Sequence, residues 1–314
     1  MNLEDLVTMD RSSHAEGTVI RPVLAPGGRL RVVAPASGDC SREVLDRAER
    51  YFGGRGHAIE VDPRVFHQER YLAGSDSERA AAVNEAFADP GVAGILISRG
   101  GYGSIRTLDR LDYDLIRRNP KPLIGFSDTT ALQLALLACA GLASYSGLVL
   151  GADFREPALH PITEATLWTA LSGQPLVVPA PVAVRSGNVQ GRLVGGCLSL
   201  IAALCGTPFL PRMDGVILLM EDVHEEPYRV DRMLTQLRLA GVFDAAAGLA
   251  VGTFERCEAS DPADGTIADV LAELPRLHRG PIAAGIAHGH HEGRCVLPIG
   301  AHACLDAAGG RLTV

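Results

Sequence analysis

The sequence predicts an α/β protein: a mainly parallel sheet first, then a smaller β-rich part. Three observations carry that prediction. In the first half, short apolar strands alternate with helical stretches of ten or more residues, the grammar of βαβ units. The strands are apolar along their length, as in VAGILIS (92–98) and PLIGF (122–126), which fits a sheet covered on both faces. After residue 188 the apolar runs are mostly strand-like.

The elements follow in order. Residues 1–27 read as an extension with weak periodicity. LRVVAPAS (30–37) is a β-branched strand, followed by a helix from Arg42 to Phe52. HAIEVD (57–62) is strand-like and a helix spans Asp76 to Ala88. VAGILIS then runs into RGGYG (99–103), and PLIGF into a helix from Asp128 to Ala140. A short helix, Thr163 to Leu171, precedes QPLVVPAPVAVRSGN (174–188). Three prolines and the lack of a helical period make that stretch the candidate linker, dividing a domain 28–173 from a domain 189–314. In the second domain, Cys197 to Leu204 is a short helix and VILLM (216–220) a buried strand. Tyr228 to Ala240 is an amphipathic helix. GLAVGTF (248–254), PIAAGIAHG (281–289) and residues 294–314 read as strands, the last a hairpin turning at Gly309-Gly310.

Composition removes several function classes. The chain has 314 residues, 47% hydrophobic and 21% charged, which excludes collagen-like, disulfide-framework and disordered types. The net charge is −8, Lys121 is the single lysine, the arginines are scattered, and aromatics are only 5%, so no nucleic-acid partner is expected. Nothing reaches the roughly 18 uncharged apolar residues of a membrane span, and no basic start leads into an apolar run. A cytoplasmic protein with no membrane partner is expected. The seven cysteines form no C-x-x-C pair, which disfavours zinc and a redox dithiol; they read as buried thiols.

Four strand ends could carry chemistry, because ligands collect at the carboxyl ends of strands in open α/β sheets. In GFSDTTAL (125–132), Ser127 follows a buried strand as a nucleophile does at a strand-to-helix elbow; the pattern alone favours Ser127 or Asp128 as a helix cap. In SRGGYGSIR (98–106), the glycine N–H groups could cradle an oxyanion or simply make a tight turn. Arg99 and Arg106 beside them could hold a carboxylate or be solvated. In VILLMED (216–222), Glu221 and Asp222 could orient a histidine or be the first solvated residues after a core strand. In GIAHGHHEG (285–293), three histidines offer a base, a metal ligand or core packing. Together a serine, a carboxylate and a histidine at three strand ends make the inventory for acyl transfer.

Six ordered segments now carry a likeness. They are YLAGSDSERAAAVNEAF (71–87), RGGYGSIRTLDRLDYDLI (99–116), NPKPLIGFSDTTAL (119–132), GRLVGGCLSL with GTP (191–200, 206–208), LMEDVHEEPYRVDRML (219–234) and GHHEGRCVLPIG (289–300). Across roughly residues 28–305 the sequence resembles the LD-carboxypeptidase family, which also holds the microcin C self-immunity peptidases. The resemblance implies a flavodoxin- or amidotransferase-like first domain and a β-rich second domain. It implies a serine peptidase with nucleophile Ser127, base His290 and carboxylate Glu221. It further implies an oxyanion hole from the Asp128 N–H and a glycine of Gly100-Gly101, a homodimer, no metal and no cofactor. Arg99, Tyr102 and Arg106 are the candidate substrate-binding residues. The expected activity is cleavage of an amide bond near the C-terminus of a murein-derived peptide. A microcin C-type immunity peptidase acting on peptidyl or aminoacyl nucleotides is the alternative, and an inactive peptide-binding protein is a third. Two departures fall at the pocket rim. SYSGLVLGADF (144–154) replaces the family's aromatic or His followed by Gly-Pro, and Cys197 stands where Asn commonly follows the Gly-Gly pair.

Overall fold

The computed structural model describes residues 18–314. Residues 1–17 of the expected extension lie outside the described residues. Residues 18–27 are tied to the first domain: Ile20 pairs with Leu142, and the Leu24 N–H donates to the Leu171 carbonyl at 2.9 Å.

The first half of the chain supplies β1 (Arg29–Val33), β2 (Ile59–Val61), β3 (Val92–Ile97), β4 (Leu123–Gly125) and β5 (Ser144–Ser146). The second half supplies β6 (Val177–Pro179), β7 (Val182–Arg185), β8 (Asn188–Cys197), β9 (Ile217–Val223) and β10 (Gly248–Glu255). It continues with β11 (Ile282–Ala284), β12 (Leu297–Ile299), β13 (His302–Asp306) and β14 (Arg311–Thr313). They form a six-stranded sheet in the order β12-β5-β4-β3-β1-β2 and an eight-stranded sheet in the order β6-β14-β13-β8-β9-β10-β11-β7. In the first sheet every pair is parallel except β12 with β5. In the second, β8 to β11 are parallel and the outer pairs antiparallel. The expected α/β first domain and β-rich second part are both present.

Local chemistry explains the helices. Ser41 accepts from the Val44 N–H and starts Arg42–Gly53, whose Val44, Leu45, Ala48 and Phe52 recur at helical spacing to bury one face. Ser75 and Glu78 form a reciprocal capping box at the start of Asp76–Ala88. The apolar strands are covered on both faces, as their composition required: Ile95, Leu96 and Ile97 are all fully buried. Leu96 packs with Leu30, Val32 and Phe52 on one side of the sheet. Ile95 and Ile97 belong to a cluster that passes through Leu132 and Leu136 and reaches Leu193, Leu219 and Leu249 of the second sheet. One continuous apolar core therefore joins the two sheets.

Three elements differ from expectation. The stretch 174–188 is built into the second sheet: β6 lies at one edge and β7 at the other. Its prolines are compatible with this because an edge strand need not donate a ladder hydrogen bond on its outer side. PIAAGIAHG keeps strand geometry only over Ile282–Ala284, since Gly285 takes φ +78° and turns the chain away. The segment Asp128–Ala140 is a 3₁₀ turn at Ser127–Thr129, an α-helix at Thr130–Ala135 and a π-turn at Leu136–Ala140, closed by left-handed Gly141. The final hairpin, β13 to β14, turns at Gly309-Gly310 as read from the sequence. No helix among the described residues is long and apolar enough to cross a membrane.

Candidate active site

Buried strand β4 delivers Phe126 and then Ser127, which sits at φ +66°, in the left-handed region. An L-residue other than glycine pays steric strain there, and such strain concentrates at functional turns. The turn projects the Ser127 hydroxyl off the sheet edge. Neither Ser127 nor Asp128 caps the following helix by a side-chain hydrogen bond, contrary to the pattern-based reading. The Asp128 carboxylate instead accepts from the N–H of Gly103 at 3.2 Å and of Ser104 at 2.8 Å. The Ser104 hydroxyl donates to the Asp128 carbonyl at 2.6 Å. Burial pushes the Asp128 carboxyl up, and these donors pull it back.

That clamp draws the glycine loop against Ser127. A Cβ on Gly100 would stand 2.9 Å from Ser127 Cβ and 3.2 Å from its Oγ, so a side chain there would have to displace Ser127. Among the described residues, the N–H groups of Gly100 and Gly101 donate to no protein acceptor. Buried Arg79 holds the loop from behind, donating to the Gly103 carbonyl at 2.7 Å and to the Pro35 carbonyl. Arg79 also pairs with Asp76.

The carboxylate comes from the second sheet. Strand β9 does not end at Met220 but continues to Val223, so Glu221 and Asp222 are buried rather than solvated. Asp222 accepts from the N–H of Ser199 at 2.7 Å and of Val223 at 2.8 Å, and burial pushes its carboxyl up to about 6. Glu221 is fully buried. Its Oε2 accepts from His290 Nδ1 at 2.8 Å. With that proton on Nδ1, Nε2 is left to accept from the Ser127 hydroxyl at 2.9 Å. The other carboxylate oxygen, Oε1, accepts the Cys197 thiol at 2.9 Å. Ligand atoms of Cys197, Glu221 and His290 lie within 4.8 Å of one another, a closeness that the two hydrogen bonds to Glu221 explain.

The three neighbouring histidines have separate surroundings. His288 is fully buried, donates from Nδ1 to the Cys295 carbonyl at 2.9 Å, and is pushed down to about 4 by burial. His290 is partly exposed and lies with its ring centroid 4.7 Å from that of Phe126. His291 contacts the Glu292 carbonyl at 2.6 Å. The loop is fixed by buried Arg294, which donates to the Gly147 carbonyl at 2.9 Å and the His291 carbonyl at 3.2 Å and pairs with Asp153. Its guanidinium also lies 4.5 Å from the Phe126 ring centroid. Burial pushes the Asp153 carboxyl up, opposed by the Arg294 charge.

Ser127, His290, Glu221, Gly100 and Asp128 thus converge, although they come from widely separated segments, while Gly101 packs against Ser37. The arginine candidates separate. Arg106 forks onto Asp76 at 2.9 and 2.8 Å, an attachment that serves the loop. Arg99 donates to the carboxylate and the carbonyl of exposed Asp39 at 3.2 and 3.4 Å and borders two hollows of about 460 and 180 Å³. Tyr102 is exposed, with its ring centroid 5.7 Å from that of Tyr71. Arg79, Asp153, Arg294 and the thiol role of Cys197 were not anticipated. A charge at the start of a buried apolar run was the available signal for Arg294, which stands directly before CVLPI.

A hydroxyl hydrogen-bonded to an imidazole whose second nitrogen meets a buried carboxylate is the layout of a serine hydrolase. Residues 30–147 match the LD-carboxypeptidase N-terminal domain and residues 190–305 the C-terminal domain. A Streptomyces coelicolor relative bearing the name of a carboxypeptidase is 38% identical over 304 residues, covering 94% of this chain and 96% of its own. The Escherichia coli microcin C7 self-immunity protein MccF is 29% identical, covering 75% of this chain and 77% of its own. The crystal structure of muramoyltetrapeptide carboxypeptidase from Oxalobacter formigenes superposes with a TM-score of 0.82 at 30% identity, covering 91% of this chain and 97% of that one. The chain belongs to the LD-carboxypeptidase family.

Proposed function

We propose that this protein hydrolyses an amide bond near the C-terminus of a murein-derived peptide, releasing a terminal D-amino acid. The carrying observation is the continuous hydrogen-bonded path from Ser127 through His290 to Glu221. His290 takes the Ser127 proton as Oγ attacks the carbonyl carbon. Glu221 keeps the imidazole in the required tautomer and stabilises the imidazolium. The tetrahedral oxyanion is received by the N–H groups of Gly100 or Gly101 and of Asp128, where losing one donor costs about 10²–10³ in rate. His290 then protonates the leaving amine, and water releases the acyl group by the same steps in reverse roles. Arg99 and Tyr102 meet the substrate at the rim, and Arg106 supports the loop through Asp76. We place the enzyme in the cytoplasm as a homodimer acting on small peptides.

The substrate class is supported by the likeness to muramoyltetrapeptide carboxypeptidase, 30% identical over 91% of this chain, where MccF is 29% identical over 75%. The test is incubation of purified protein with a murein tetrapeptide and, separately, with an aminoacyl-sulfamoyl adenosine, read by mass spectrometry. Release of D-alanine from the first is expected. Turnover of the nucleotide alone would replace this reading with the immunity-peptidase one, and turnover of neither would leave a binding protein.

A further inference from the structure

We infer that Cys197 is a positioning residue for Glu221, extending the Ser127–His290–Glu221 path to a fourth group; this rests on the triad reading above. The register of the second sheet creates the contact. β8 and β9 run parallel, with Cys197 directly beside Glu221. Gly195 and Gly196, both at φ +141°, let β8 press close: a Cβ on Gly195 would lie 1.9 Å from the Leu219 carbonyl oxygen, and one on Gly196 2.6 Å from Thr130 Oγ1. The Cys197 N–H then donates to that same Thr130 hydroxyl at 3.2 Å. Thr130 starts the helix that follows Ser127. The strand that presents the thiol is thereby latched to the element that presents the nucleophile.

Glu221 needs this partner. A fully buried carboxylate with one oxygen unbonded would be costly to keep ionised. His290 satisfies Oε2, and the Cys197 S–H, at 2.9 Å, is the donor to Oε1. The thiol is also poorly suited to another task. It is buried, and burial together with the Glu221 and Asp222 carboxylates pushes it well above the ordinary thiol range, so it stays protonated and able to donate. The other titratable groups that act on this corner are His288 from the histidine loop, Asp222 from β9, Asp128 from the first sheet and Cys257 beyond β10. Among the described residues, only His290 and Cys197 hydrogen-bond the Glu221 carboxylate.

The experiment compares wild type, Cys197→Ala and Cys197→Ser. Losing a donor to a carboxylate raises the proton affinity of the Glu221–His290 pair. Cys197→Ala is expected to lower kcat about tenfold with KM within about twofold, and to move the acid limb of the pH–kcat/KM profile up by about one unit. Cys197→Ser, which keeps a donor, is expected to restore both. Thermal melting followed by circular dichroism establishes that each variant is folded. The ¹⁵N titration of His290 reads the same coupling without turnover and is expected to move upward in Cys197→Ala alone. An alanine variant whose pH profile and His290 titration superimpose on wild type overturns the inference, even if its activity or melting temperature falls. Absence of turnover in wild type would instead sink the hydrolase reading, and the His290 titration would still decide the role of Cys197.

Discussion

Ser127 holds a backbone angle that costs an L-side chain about 1 kcal/mol, and it holds it because the hydroxyl must leave the sheet edge toward His290. Function and local stability therefore pull in opposite directions at this position. Ser127→Ala and Ser127→Gly should both abolish turnover, since neither has a nucleophile. They should differ in stability: glycine relieves the left-handed strain and alanine does not, so Ser127→Gly should be more stable than Ser127→Ala by about 1 kcal/mol. Urea unfolding of the two variants measures this. Equal midpoints, or a more stable alanine variant, would show that the turn is unstrained. The hydroxyl at a strand end was legible in GFSD, but the angle was not, because a turn's φ depends on contacts with segments distant in sequence, such as Gly100 against Ser127.

At the level of elements, the loop 98–106 brings Gly100 and the loop 285–296 brings His290 to Ser127. Gly100 is the joint that bears on Ser127 directly. Its Cα faces Ser127 at a spacing with no room for a methyl, yet Gly100 itself needs no positive φ. Gly100→Ala should therefore fold, push Ser127 away from His290 and lower kcat by about 10²-fold, as a small misplacement of a reacting group does. Steady-state kinetics with a melting curve tests it; wild-type kcat would refute the contact. Helix Asp76–Ala88 was readable to the residue because its capping box and its apolar spacing are local. Strands 177–179 and 182–185 were read as linker because their prolines suit a linker and an edge strand equally, and only the partner strands decide. Arg79, Asp153 and Arg294 escaped for a related reason. Their work is done on backbone carbonyls and carboxylates from distant segments, such as Asp153 with Arg294, 141 residues apart.

On the scale of the molecule, the path from Ser127 to Glu221 exists only because the two sheets share a core and exchange a strand: β12 leaves the second half of the chain to pair with β5 of the first sheet. His288 sits at this junction, within 3.4 Å of Ser146 on β5 and bonded to the Cys295 carbonyl just before β12. Its burial makes the junction acid-sensitive. The folded-state pKa is about 4 against an ordinary 6.5, so the folded protein favours the neutral ring. Stability from this group is complete above pH 6.5 and is lost as the pH falls toward 4, by about 2 kcal/mol at pH 5 and about 3 kcal/mol at pH 4. Asp222 works in the opposite direction. Burial raises it from 3.8 to about 6, so its protonation on acidification favours the folded state over the same interval and flattens the wild-type profile. A difference measurement separates the two. His288→Gln keeps a donor and an acceptor but cannot titrate, and His288 lies outside the hydrogen-bonded path, so the variant should retain turnover. Its unfolding free energy, compared with wild type at pH 7, 6, 5 and 4, should show a gap that changes by about 2 kcal/mol between pH 7 and 5 in favour of the variant. A gap independent of pH would mean that His288 is protonated, or solvated, within the folded protein and that the junction of the two sheets is not closed around it.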